Sequence, residues 1–251
     1  MEIIRYDGGS GASYGELQGD IVFEWSGGLF DGKRTGTTVK KSAVRLLAPV
    51  VPSKFVLASV NFEEALVLHN LPRPENPILF LKAPSAIIAD GEAIQYPSES
   101  KYVTFEPELA LVIGKECRRV SREQAMDYVY GYTLTNDLSA RDIQKAEGQY
   151  TRCKSMDTFG PLGPSIVTGV DASDLSVAGY INGKKVAERR TTSLIFDIPT
   201  LISFTSHSMT LFPGDVISTG AGGVAEIKIG DVVTVEVENV GRLTNPVTAQ
   251  K

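Results

Sequence analysis

The sequence predicts a mainly β protein, mixed and mostly antiparallel, with a few short helices. Apolar runs of strand length outnumber helical patterns, and they do not alternate regularly with helices as a doubly wound sheet requires. A third observation is local. In "YINGKKVAER", Asn182-Gly183 separates two strand-like runs, and that dipeptide suits a two-residue type I′ hairpin turn.

Taken in order, residues 1–50 read as short strands broken by Gly-rich turns, a small N-terminal accessory domain. The stretch "RLLAPVVPSK" (45–54) holds two prolines and links that unit to the main body, residues 51–251. "FVLASVNF" (55–62) has the character of a buried strand. "EEALVLHNLPRPENP" (63–77) predicts a short helix and then a loop, because its prolines cannot continue a helix. "VSREQAMDYVYGYT" is the clearest helical pattern, with Ser121 as N-cap and Gln124 completing a capping box, and it should end before Gly131. A second short helix is expected near 192–206, and "GDVVTVEVENVG" alternates as a late strand.

Composition narrows the function. The 251 residues are 42% hydrophobic and 22% charged, ordinary for a soluble globular chain of one large domain with a small appendage. A net charge of −5 without a basic run argues against nucleic acid and anionic membrane surfaces as partners. No apolar stretch approaches the roughly 20 residues of a membrane span, and the start "MEIIRYDGGSG" has no apolar signal core, so a cytoplasmic protein is expected. Cys117 and Cys153 are too few for a disulfide framework and are expected as free thiols. His69 and His207 are the only histidines, which excludes a His-rich metal site. Any metal should be a hard, oxygen-ligated ion.

The stretch "FEPELALVIG" (105–114) places two carboxylates in an apolar strand. Residues two apart share a strand face, so Glu106 and Glu108 lie side by side with Ala110 and Val112. Both faces become apolar after Glu108, which predicts a strand running into a core covered on both sides. Like charges that close repel and are costly to desolvate. Read alone, the pair fits a solvated strand start better than a cation site. Asp137, in "GYTLTNDLSARD", adds a third carboxylate at a strand end. Three carboxylate oxygens, waters and a bidentate substrate would complete an octahedral Mg²⁺ shell.

At this point the sequence resembles the fumarylacetoacetate hydrolase superfamily. The resemblance rests on "FEPELALVIGK", "AMDYVYGYTLTNDLSARDIQ", "YTRCKSMDTFGPLGPSIV" and "LFPGDVISTG", in that order, and covers essentially the whole chain. It implies the family's β-sandwich roll and a metal site at Glu106, Glu108 and Asp137, filled by Mg²⁺ or Mn²⁺. It implies a small-molecule 2-oxo acid substrate that chelates the metal, which then stabilises an enolate, and it implies a homodimer. Position by position, Lys154 matches the family's active-site lysine, and Arg141 and Gln144 match substrate-contacting residues. A salt bridge from Arg141 to Asp142 or Glu147 is the competing expectation for that residue. Lys82 in "FLKAPSA" falls in a pocket-lining segment and is expected either to bind substrate or to be structural.

Two departures bear on the reaction. Many members carry a His-Glu dyad on a lid helix after an Asn-Tyr pair. Aligning Asn61-Phe62 on that pair puts Ala65 and Leu68 at the dyad positions. His69, one turn beyond Ala65, is a candidate substitute with Glu64 as its orienter, the plain alternative being a packed or solvated histidine. In "STGAGGVAE", Thr219 is kept as a substrate-binding hydroxyl, but Ala221 stands where relatives carry another hydroxyl. Hydrolysis needs a positioned base for water, whereas enol–keto isomerisation needs a stabilised enolate and one proton shuttle. The expectation is therefore an isomerase similar to the 2-hydroxyhepta-2,4-diene-1,7-dioate isomerase branch. An acylpyruvate hydrolase or an oxaloacetate-type decarboxylase is the alternative, and a non-catalytic metal-binding relative is the further one.

Overall fold

The computed structural model describes residues 1–250, with every side chain there except those of Leu68 and His69. The protein is mostly β with short helices, as the sequence predicts. A 12-stranded sheet forms the spine, with smaller sheets of five and three strands beside it. At its centre lie three antiparallel strands: Gly160–Val167, Val129–Asn136 and Pro107–Ile113. Pro107–Ile113 then pairs with Val216–Ser218, which runs parallel to Phe55–Ser59. Ile78–Lys82 closes this edge. On the other side, Glu2–Asp7 pairs with Gly160–Val167, so the strands of residues 1–50 extend the same sheet.

Both faces of the central strands are covered. Along Pro107–Ile113 every residue is buried. Leu109, Leu111 and Ile113 enter one apolar cluster, and Ala110 and Val112 enter another. Phe55–Ser59 divides in the same way, with Val56 and Ala58 in the first cluster and Phe55 and Leu57 in the second. This is the period-two pattern of a strand between two packed layers. The first cluster also takes Val233, Val235, Val237 and Leu243 from the five-stranded sheet, which makes the body a sandwich.

The hairpin forms as expected. Ser176–Ile181 and Lys184–Arg190 pair Ile181 with Lys184 across the turn. Asn182 (φ 52°) and Gly183 (φ 77°) take the left-handed backbone that a type I′ turn requires. Both cysteines are free and buried. Among the described residues, no helix is long and apolar enough to cross a membrane.

The helical expectations need two corrections. Residues Arg122–Tyr128 form a 3₁₀ helix rather than an α-helix, and the Ser121 side chain makes no cap bond. Only seven residues separate Ser121 from the strand starting at Val129, and only Ala125 among them is buried, so little apolar face holds an α-helix together. The helix expected near 192–206 instead spans Ile198–Ser208. Asp197 is its N-cap, accepting from Thr200 N at 3.0 Å, and a proline stands in its first turn. The short helix of the 63–77 segment is present as α1 (Glu63–His69). It ends on Asn70 in the left-handed conformation.

Candidate active site

The three carboxylates meet because of strand register. Pro107 pairs with Asn136 and Glu108 with Thr135, so Glu106 and Asp137 face each other just beyond the end of the ladder. Backbone bonds lock the corner. Asp137 N donates to Glu106 O at 3.0 Å, and Glu106 N donates to Asn136 Oδ1 at 3.1 Å. One oxygen from each of Glu106, Glu108 and Asp137 lies within 4.8 Å of the others, and all three residues are buried. Three anionic oxygens that close, away from water, suit one shared hard cation.

Three cationic side chains surround the carboxylates. Two short helices supply two of them: α2 (Arg141–Glu147) and α3 (Thr151–Lys154). Lys154, at the end of α3 and buried, lies 3.3 Å from both Glu106 oxygens and hydrogen-bonds Asp137 Oδ2. Arg141, opening α2, reaches Glu106 Oε1 at 2.9 Å, Thr104 Oγ1 at 3.0 Å and Gln144 Oε1 at 2.9 Å. Its ion pair is with Glu106, not with Asp142 or Glu147: Asp142 accepts from Ser100 and Lys101, and Glu147 pairs with Arg152. The third cation is Lys82, 2.8 Å from Asp137 Oδ1. Lys82 donates to the carbonyls of Leu138 (3.2 Å) and Phe159 (2.7 Å), so its contact with Asp137 is an ion pair without hydrogen-bond alignment.

These neighbours tune one another. Burial raises the Glu108 carboxyl well above the usual carboxylate range, and the Asp137 charge raises it further, against the opposing hydrogen bond from Ser218. Burial alone would raise Asp137 as well, but the Lys154 and Lys82 ammoniums outweigh it and hold Asp137 low. Burial pulls Lys154 down, yet Asp137 and Glu106 prevail and keep its ammonium above the ordinary lysine value. For Lys82, burial prevails over Asp137 and lowers it.

The cluster opens into a cavity of about 230 Å³. Glu106, Glu108, Asp137, Arg141, Gln144 and Lys154 line its polar end. Phe80 and Tyr150, stacked with centroids 4.9 Å apart, form an aromatic wall, and Lys154 Nζ sits 5.0 Å over the Phe80 ring. Ala65 of α1, Ala221 and Val224 also line the cavity. Asn61 sets the entry to α1 by donating to the carbonyls of Phe196 (3.0 Å) and Thr219 (2.8 Å).

Some expected residues lie elsewhere. The Thr219 hydroxyl is buried and donates to Leu109 O at 3.0 Å. Glu64 lies 3.7 Å from Arg189 Nε, in an ion pair between α1 and the strand Lys184–Arg190. The side chain of His69 lies outside the described residues. Sequence reasoning passed over Ser139 and Ser218, whose hydroxyls donate to Glu106 and Glu108. It also passed over Tyr150 and Phe80. The serines stand inside segments already singled out, two residues from Asp137 and one from Thr219. The aromatics also open segments already singled out, "FLKAPSA" and "YTRCKSMDTFGPLGPSIV", but nothing local shows that they stack.

Comparison with known proteins agrees with this fold. The family model described as fumarylacetoacetate (FAA) hydrolase C-terminal matches residues 54–248, and one described as Rv2993c-like, N-terminal matches residues 1–49. The chain belongs to the fumarylacetoacetate hydrolase family. An uncharacterized protein of Archaeoglobus fulgidus is 47% identical over 92% of this chain and 88% of its own length. The mitochondrial oxaloacetate tautomerase of Xenopus laevis is 40% identical over 83% of this chain and 70% of its own length. The crystal structure of 5-carboxymethyl-2-hydroxymuconate delta-isomerase from Mycobacterium smegmatis superposes with a TM-score of 0.94 at 40% identity, covering 100% of both chains.

Proposed function

We propose that the protein is a divalent-metal-dependent enzyme that interconverts enol and keto forms of 2-oxo or 2-hydroxydienoic diacids, with Glu106, Glu108 and Asp137 holding the cation. The observation that carries this reading is a buried lysine ammonium, Lys154, touching two carboxylates of a buried acidic triad at the floor of a small cavity. Two relatives support the reaction class, one named as an isomerase and one as a tautomerase.

The donor set fits a hard ion: it is all carboxylate oxygen, close-set and buried. A bound Mg²⁺ or Mn²⁺ would supply positive charge where negative charge develops on the substrate's 2-oxygen. Lys82, Lys154 and Arg141 pair with Glu106 and Asp137, so with all three carboxylates ionised a divalent ion would leave the pocket positive and a dicarboxylate would restore the balance. Arg141 and Gln144 bind and orient the substrate carboxylate at the polar end. Phe80, Tyr150, Ala65, Ala221 and Val224 shield the reacting atoms from water. Lys154 is the proton shuttle. Its ammonium gives a proton to the substrate carbon, and the resulting amine at Nζ takes the proton leaving the enol oxygen. The cavity-lining lid residue Ala65 carries no proton, and this favours tautomerisation over hydrolysis.

The test is turnover by purified protein with Mg²⁺ on enol oxaloacetate, a 2-hydroxydienoate and acylpyruvates, following enol absorbance and released pyruvate and CO₂ separately. The expected result is faster enol–keto conversion without cleavage. Acylpyruvate cleavage or decarboxylation without faster tautomerisation would assign a hydrolase or decarboxylase instead. Metal binding with no turnover at all would assign a non-catalytic ligand-binding protein.

A further inference from the structure

Lys82 ends the edge strand Ile78–Lys82, and its side chain has 0% exposed surface. Burying a whole ammonium is costly unless it is fully engaged. Its Nζ meets the Leu138 carbonyl at 3.2 Å, the Phe159 carbonyl at 2.7 Å and Asp137 Oδ1 at 2.8 Å. Two of those contacts fall on consecutive residues, Asp137 and Leu138. The lysine therefore grips both the carboxylate and the backbone of the turn that presents it.

Two further observations fix the lysine itself. Its stem runs close past Gly160, where a methyl group would lie 3.1 Å from Lys82 Cδ and 3.4 Å from Ala86 O. Next in sequence, Ala83 N donates to Ser155 Oγ at 3.0 Å, tying this corner to the residue after Lys154. The other Asp137 oxygen, Oδ2, accepts from Lys154, and Asp137 lines the cavity.

We infer that Lys82 is a positioning residue for the cation site: it holds Asp137 by Oδ1 and so sets the aim of Oδ2, and it does not meet substrate. Groups that orient a metal ligand in this way are typically worth 10- to 100-fold in metal affinity. The inference rests on the reading of the triad as a cation site.

The experiment is calorimetric titration of Mn²⁺ into wild type, Lys82→Met and Gly160→Ala, followed by oxalate titration of each Mn²⁺-saturated protein. Lys82→Met removes the ammonium and keeps a similar stem, and it is expected to weaken Mn²⁺ binding about tenfold or more while leaving oxalate affinity for the loaded protein unchanged. Tighter Mn²⁺ binding would make Lys82 only a counter-charge, and unchanged binding would deny it any role; either overturns the inference. Lost oxalate affinity with unchanged Mn²⁺ affinity would make it a substrate contact, which also overturns it. Should Lys82→Met not fold, Gly160→Ala decides, since its methyl crowds the same stem: about threefold or greater weakening of Mn²⁺ binding is expected, and wild-type affinity overturns the inference. Absence of Mn²⁺ binding in wild type would instead remove the underlying cation-site reading.

Discussion

The amide of Asp137 hydrogen-bonds the carbonyl of Glu106 at 3.0 Å, where the antiparallel pairing of two central strands ends. Residues far apart in sequence thus share one rigid corner, and three carboxylates converge at strand ends and the tight turn that follows Asn136. Rigid strand ends hold a site more precisely than loops do.

Glu108 separates stability from function. Its hydrogen bonds come from Ser218 and from Gly220 N at 3.2 Å, and burial and the Asp137 charge hold its carboxyl above the usual range. Glu108→Gln keeps an acceptor for those donors and removes a repelling charge. The metal-free variant is expected to be as stable as wild type or about 1 kcal/mol more stable, while Mn²⁺ binding and turnover fall more than about 100-fold. The sign with pH follows from the raised value. Glu108's contribution to stability is fully present below its unfolded pKa and is lost as pH rises through the folded one. Denaturant unfolding of the metal-free wild type should therefore weaken as pH rises above the usual carboxylate range, and Glu108→Gln should lose that slope. An equal slope in the variant would contradict the assignment.

Lys154→Met removes the proposed shuttle. The expected loss is about 10²- to 10⁴-fold in kcat, with substrate KM changed far less. Steady-state kinetics at saturating Mg²⁺ measures this, and a kcat within a few-fold of wild type would assign the proton to another group.

Arg141→Lys tests the bidentate grip. One guanidinium now serves Glu106, Thr104 and Gln144, a fork that an ammonium cannot reproduce. KM for a dicarboxylate is expected to rise about tenfold or more, the loss of a charged hydrogen bond of roughly 1.5–3 kcal/mol. An unchanged KM would mean that the substrate carboxylate binds elsewhere.

Asp215 is a stability anchor away from the cavity. It is buried and accepts from Ser53 Oγ (2.7 Å), Lys54 N (3.0 Å), Phe212 N (2.8 Å) and Lys54 Nζ (2.5 Å). Burial acts to raise its carboxyl, but the Lys54 partner and these donors outweigh burial and hold it low. A depressed value contributes stability above the unfolded pKa that is lost as pH falls through the folded one. Asp215→Asn should cost about 3 kcal/mol at neutral pH, and less as the solution is acidified, in urea unfolding. A loss independent of pH would argue against the ion pair as its source.

Much of this architecture was legible in residue patterns. The doubly apolar stretch after Glu108 announced a strand between two layers, and Asn182-Gly183 announced its turn, because both signals are local. The segment 122–128 misled because cap and spacing suit an α-helix, whereas Ala125 is the one residue it buries and little apolar face holds an α-helix there. Thr219 reads as a substrate-binding hydroxyl until the Leu109 carbonyl is seen 3.0 Å away. Lys82 reads equally as a substrate contact or a structural residue, because nothing in "FLKAPSA" reveals that two carbonyls from distant segments accept from it. Phe80 and Tyr150 open two segments singled out in the sequence, but they stand seventy residues apart and nothing local shows that they stack.

Manganese-soaked crystals offer the most direct check, through anomalous scattering at the manganese edge. The account predicts one strong peak within bonding distance of carboxylate oxygens from Glu106, Glu108 and Asp137 together. No peak there, or one bound by other residues, would contradict it.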